Sequence, residues 1–190
     1  MANANVSVMA RQSLVGYNYS LLGNWPVEPI KPNPDYFTTV LFRRLFGNTV
    51  LATAADAAPW PPSAAPAAGG ERARAFAFCA AEKSGGVAVA MVNFDAKSPA
   101  DFAFDAALGR QREYLLSPGA APVVAGAAWS SRHMLLNGKP LEMQGPAWKL
   151  PPALATGQGK AGAVAGQVTL SPLSVGFAIF PDAKAAACVA

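Results

Sequence analysis

Met134-Leu135-Leu136-Asn137-Gly138-Lys139-Pro140-Leu141-Glu142-Met143 reads as two short strands joined by a two-residue turn. Asn-Gly is the dipeptide that most readily adopts the two positive φ angles of a type I′ bend, so the arms His133–Leu136 and Lys139–Met143 are expected to form a β-hairpin. The same period of two recurs outward from it. Ala73–Cys79, Val87–Phe94, Phe102–Phe104 and Arg112–Leu116 are candidate strands upstream, and Gln167–Leu170 and Val175–Phe180 downstream. Ser84-Gly85-Gly86 supplies a second hairpin turn. Short strands separated by such turns predict an antiparallel β-sandwich over 73–190.

The first part of the chain has a different rhythm. Val6–Val15 is largely apolar, with Arg11 and Gln12 at its centre, and reads as a buried strand ending at Gly16. A loop follows, broken by Gly23, Pro26, Pro29 and Pro32. A helix is expected over Pro34–Phe46. Asn33 stands at its N-cap, Pro34 at its first position, and Asp35 near the positive end of its dipole. Phe37, Val40, Leu41 and Leu45 make one apolar face, and Gly47 is placed to cap the C-terminus. Strand, long loop, helix and then Val50-Leu51 is the pattern of a final βα unit in a (β/α)8 barrel, although one unit does not establish a barrel. The expected organisation is mostly β: an incomplete barrel unit over 1–56, a Pro/Ala/Gly-rich loop over 57–72, and the sandwich over 73–190.

Composition removes several function classes. The 190 residues carry a formal charge of +4, with basic pairs scattered at Arg43-Arg44, Arg72/Arg74 and Arg110/Arg112. No basic stripe marks a nucleic-acid surface. No apolar run reaches the ~18 residues of a membrane span, so no transmembrane segment is expected. Met1–Ala10 lacks a basic start followed by an apolar stretch, so it does not read as a signal peptide. His133 is the only histidine, which argues against a histidine-rich metal site and is most simply a strand-surface residue. Neither metal nor cofactor is implied. Trp60, Trp129 and Trp148 sit in Pro- or Ala-rich loops and are read as ordinary loop aromatics rather than a sugar platform. Asn5 and Asn18 satisfy the N-glycosylation pattern but fall in the expected strand and loop. From the residues alone, Cys79 and Cys188 are either a bridge pinning the tail to the sandwich or two free buried thiols.

Taken in order, several strings resemble heparanases and their plant relatives in glycoside hydrolase family 79. They are Val8-Met9-Ala10-Arg11-Gln12-Ser13-Leu14-Val15-Gly16, then Asn18-Tyr19, then Pro32-Asn33-Pro34-Asp35-Tyr36. Leu41 to Gly47 with Val50-Leu51, Met134 to Gly138, Leu150-Pro151-Pro152, Leu170 to Phe180, and Ala187-Cys188 complete the series. Each is common alone; their joint order and spacing are specific.

The resemblance implies retaining cleavage of glucuronic-acid linkages by two carboxyl groups about 5 to 5.5 Å apart. It implies that both come from barrel strands ahead of Met1, so no residue of this chain is expected to be catalytic. Glu28 and Asp35 are read as a loop acid and a helix-dipole partner. Gln12, Gly16 and Tyr19 match positions that line the sugar site in relatives and are the substrate-binding candidates. Tyr17 departs from the small residue, commonly glycine, that relatives place before the Asn-Tyr pair, and this bears on substrate range. The resemblance further implies a Cys79–Cys188 disulfide and a secreted, lysosomal or vacuolar, or cell-wall location. The missing leader is then read as part of a missing N-terminal portion, and that barrel region is the expected partner.

Two readings follow. In the first, the chain is the C-terminal fragment of a retaining β-glucuronidase whose substrate, a glucuronic-acid-containing glycan, is bound only by the complete protein. In the second, it is a non-catalytic β-sandwich that binds carbohydrate or serves structurally. The apolar helix face is expected to discriminate, because an isolated βα unit should leave Phe37, Val40, Leu41 and Leu45 without cover.

Overall fold

The computed structural model describes residues 13–16, 20–23, 31–52, 72–119, 131–143, 149–155, 159–164 and 166–189. Among these the protein is mostly β. In chain order, β1 (Leu22–Gly23) and β2 (Lys31–Pro32) precede helix α1 (Pro34–Leu45), which runs directly into β3 (Phe46–Leu51). Then come β4 (Ala73–Ala80), β5 (Val87–Asn93), β6 (Ala100–Ala103), β7 (Arg110–Pro118), β8 (Met134–Leu136) and β9 (Lys139–Pro140). A single-turn helix α2 (Pro152–Ala155), β10 (Lys160–Val164), β11 (Gln167–Leu170) and β12 (Ser174–Phe180) complete the order.

One eight-stranded antiparallel sheet organises the molecule, in the order β3-β4-β5-β12-β7-β8-β9. β10 shares the outer edge of β7, pairing its first half while β8 pairs its end. Alternation along the strands then sorts side chains to two faces. Ala88, Ala90, Tyr114, Leu116, Phe177 and Ile179 point to one face and meet Phe37, Leu41 and Leu45 of α1. Val87, Val89, Met91, Ala178 and Phe180 point to the other and meet Val168 and Leu170 of the two-stranded β6–β11 sheet. The large sheet is thus covered by a helix on one side and a small sheet on the other.

That arrangement shows what covers α1. Its apolar face is not left bare: Phe37, Leu41 and Leu45 are 3%, 0% and 2% exposed. Periodicity identified the face, but the chain's own sheet supplies the cover, and burying each such side chain contributes roughly 1.5–3 kcal/mol. The helix also ends differently. Phe46 is its C-cap in an extended conformation and begins β3, so the left-handed cap expected at Gly47 is absent. A Cβ on Gly47 would sit 3.0 Å from the Cys79 carbonyl, so this glycine serves strand approach rather than helix capping.

The hairpins form as the turn chemistry requires. Asn137 and Gly138 adopt φ of 50° and 77°, and Leu136 pairs with Lys139. The Asn137 side chain also accepts from the Leu115 amide at 2.8 Å and donates to the Glu113 carbonyl at 3.1 Å, locking the bend onto β7. The second arm is shorter than expected, β9 ending at Pro140, with one further ladder bond from the Leu141 amide to the Met134 carbonyl at 2.9 Å. Ser84-Gly85-Gly86 lies in the β4–β5 connection, with Gly85 at φ 78°. Residues 6–12 of the expected strand Val6–Val15 and the loop Ala57–Gly70 lie outside the described residues; of residues 13–15, Val15 makes an isolated parallel bridge with Leu22.

Candidate functional site

Of the three sugar-site candidates, the structure describes Gly16. Gln12 and Tyr19 lie outside the described residues, as do Tyr17, Glu28, Asn5, Asn18, Trp60, Trp129 and Trp148. Gly16 takes φ +111°, and a Cβ added there would meet nothing within 4 Å. Glycine is required at this turn by backbone conformation and not by crowding.

A small set of hydrogen bonds holds the turn. The Gly16 amide donates to the Leu22 carbonyl at 3.0 Å, and the Leu22 amide donates to the Leu14 carbonyl at 2.9 Å. The Ser13 and buried Ser20 hydroxyls are 2.8 Å apart, and the Ser13 hydroxyl also donates to the Val15 carbonyl at 3.1 Å. Asn33 closes the arrangement: its side-chain amide donates to the Ser20 carbonyl at 2.6 Å, and its backbone amide to the Leu21 carbonyl at 2.8 Å. The helix-cap position expected for Asn33 is correct, but its side chain makes no cap bond and instead ties the α1 N-terminus to the Gly16 loop. This role carried no sequence signal beyond the Asn-Pro pair, since its partner carbonyls are independent of side-chain identity.

The same region leaves apolar groups in solvent. Leu14 and Val15 are 63% and 48% exposed, unlike the buried strand end that their hydrophobicity predicts. Asp35 lies in the first turn of α1, where the dipole favours a carboxylate. His133 is exposed, just before β8. Among the described residues, no group of three His, Cys, Asp or Glu side chains is placed to hold a metal ion. No described helix is long and apolar enough to cross a membrane.

At the other end of the fold, the tail is fastened to the β4–β5 hairpin. Cys79 and Cys188 form a disulfide across a sequence separation of 109 residues. Beside it, the Gly85 amide donates to the Cys188 carbonyl and the Ala185 amide to the Gly85 carbonyl, each at 2.9 Å. Asp182 receives Lys83 at 2.7 Å and Arg110 at 2.9 Å, and these bonds, Lys83 first, hold its carboxyl below the ordinary range. Asn93, 2% exposed, clamps the two sheets by donating to carbonyls of Ser98, Leu170 and Ser171 while accepting from the Asp95 amide.

Comparison with known proteins bears on what this arrangement is part of. The chain is similar to heparanase-like protein 2 of Arabidopsis thaliana, 28% identical over 220 residues, covering 97% of this chain and 35% of the relative. It is likewise similar to heparanase-like protein 1 of the same plant, 27% identical, covering 98% of this chain and 36% of the relative. Baicalin-beta-D-glucuronidase of Scutellaria baicalensis is 29% identical over 141 residues, covering 73% of this chain and 23% of that protein. No family model matches. The chain is therefore similar to heparanase-like proteins across nearly its whole length, and it spans about a third of the length of those relatives.

Proposed function

We propose that this chain is the C-terminal part of a retaining glycosidase that hydrolyses β-glucuronide linkages in polysaccharide or proteoglycan glycans. It supplies one wall of the sugar site and a supporting sandwich, while the acid/base and nucleophile carboxylates come from barrel strands elsewhere in the complete protein. The observation that carries this reading is the coverage: similarity runs through 97% of the chain but only 35% of a heparanase-like relative.

In this reading Gly16, at the end of a barrel strand, lets the backbone turn beside the substrate. Residues following barrel strands face the catalytic mouth. Gln12 and Tyr19 offer an amide and a phenol, groups able to hydrogen-bond sugar hydroxyls or a uronic carboxylate. The exposed Leu14 and Val15 are the packing surface for neighbouring barrel strands. The disulfide supports a secreted, vacuolar or cell-wall location, because such bonds persist in oxidising compartments.

Hydrolysis of 4-nitrophenyl β-D-glucuronide tests the proposal. The complete protein, carrying the barrel region, is expected to turn it over, with Tyr19→Phe and Gln12→Ala raising KM. A correctly folded complete protein that cleaves neither this substrate nor a glucuronide polymer contradicts the proposal.

A second reading draws on one observation. Because α1 is covered by the chain's own sheet, the described body is self-sufficient in that respect, as expected of a non-catalytic module that binds carbohydrate or acts structurally. That reading predicts glycan binding or a scaffold role by a longer protein that never hydrolyses a glucuronide.

A further inference from the structure

We propose that a cleft where the N-terminus of α1 meets the sheet binds one neutral pyranose ring of a glycan, next to the Gly16 loop. The cleft has a volume of about 260 Å³, just below the usual range of small-molecule pockets and suited to one ring. Pro34, the first residue of α1, forms one side, and Val92 of β5 and Val175 of β12 also line it. Phe94, Ser117 and His133 complete the lining that matters for recognition.

Position links this cleft to the candidate sugar site. Asn33, immediately before Pro34, is bonded to the Ser20 and Leu21 carbonyls of the Gly16 loop. A glycan seated at that loop therefore has the cleft beside it.

The chemistry of the lining suits a sugar. A pyranose has an apolar C–H face and a rim of hydroxyls. Phe94 is 62% exposed, and with the two valines it offers the apolar face a surface to lie on. The Ser117 hydroxyl and His133 imidazole are available to the hydroxyl rim: among the described residues neither side chain has a hydrogen-bond partner. His133 is held in place through its backbone. Its carbonyl accepts from the Gly119 amide at 2.8 Å and from the Ser131 hydroxyl at 2.9 Å, and its amide donates back to that hydroxyl at 3.2 Å. A Cβ on Gly119 would lie 2.9 Å from the His133 Cβ, so only glycine permits this approach.

Charge selects among sugars. Among the described residues the cleft is lined by no Asp, Glu, Lys or Arg, so it offers a uronate no permanent counter-ion and fits a neutral unit adjacent to one. This assignment rests on the glycosidase reading for the identity of the polymer.

The test is a ¹H–¹⁵N NMR titration of the oxidised chain with three probes: N,N′-diacetylchitobiose, a tetrasaccharide alternating glucuronic acid and N-acetylglucosamine, and free glucuronic acid. The first two are expected to shift the amides of Phe94, Ser117 and His133, and the third to leave them unmoved. Phe94→Ala and His133→Ala, both at exposed side chains, should retain the dispersed spectrum and weaken either response at least tenfold. Absence of shifts at these residues, or shifts unchanged in both variants, overturns the proposal. A complete protein that cleaves glucuronides while the cleft stays silent removes the subsite alone. A responsive cleft in a protein that never cleaves them removes the glycosidase reading and leaves the subsite standing.

Discussion

The β-sandwich with its helix and the Gly16 loop are built on opposite principles. In the first, side chains of α1, the eight-stranded sheet and the β6–β11 sheet interlock, and a disulfide pins the tail. In the second, a positive-φ glycine is held by a few backbone and hydroxyl bonds, with Leu14 and Val15 facing solvent. The sandwich is fastened by its own residues, whereas the described part of the loop leaves two apolar side chains exposed. That difference is what the glycosidase proposal explains: a supporting body complete in itself, and one wall of a site whose other walls belong elsewhere.

The largest expected effect concerns the fastened region. Replacing both Cys79 and Cys188 with Ala removes a bridge spanning 109 residues, at a cost of about 4.7 kcal/mol in the chain-entropy picture. Chemical denaturation of the oxidised and double-variant chains measures it, and a difference below about 1 kcal/mol would show that the tail is held by its other bonds instead.

Leu41→Ala and Leu14→Ala sharpen the contrast directly. Leu41 is 0% exposed between helix and sheet, so its truncation should cost about 3 kcal/mol. Leu14, 63% exposed, should cost less than about 0.5 kcal/mol in this chain. In the complete protein the same Leu14→Ala change should become destabilising by about 2 kcal/mol, because barrel neighbours then cover it. Equal, small effects in both contexts would argue that no such neighbours exist.

Gly16→Ala probes the loop without touching the core. With nothing near its Cβ, the cost is backbone strain alone, about 1 kcal/mol, read as a lowered melting temperature. Under the glycosidase proposal its larger consequence is a raised KM in the complete protein.

The smallest effect is a pH dependence at the tail. Asp182 is held ionised by Lys83 and Arg110, so its folded-state pKa lies below its unfolded one. The resulting stabilisation is present above about pH 4 and disappears as pH falls through the lowered value. Asp182→Asn should flatten that part of the acid-stability profile. An unchanged profile would mean that the pair is screened by solvent.

Local chemistry decided which parts of this structure were legible in sequence. Asn137-Gly138 announces its hairpin because few other residue pairs adopt both angles cheaply. Pro34 and the 3.6-residue spacing of Phe37, Leu41 and Leu45 announce α1. What periodicity cannot give is the covering partner, so the face of α1 was read as needing neighbours from a barrel although Ala88, Ala90 and Phe177 of this chain lie against it. β10 was missed because Lys160-Ala161-Gly162-Ala163-Val164 has almost no strand propensity and owes its conformation to pairing with β7. β3 was only partly seen, since Phe46-Gly47 reads as a helix end when it is the start of a strand. At the site, Gly16 was legible as a turn, while the bonds from Asn33 to two backbone carbonyls were not.

The most direct measurement is release of 4-nitrophenol from its β-D-glucuronide by the purified, oxidised 190-residue chain. The account predicts no turnover above the uncatalysed rate, because it assigns the acid/base and nucleophile to barrel strands outside this chain. Turnover by this chain that is abolished by Glu28→Gln or Asp35→Asn would contradict it.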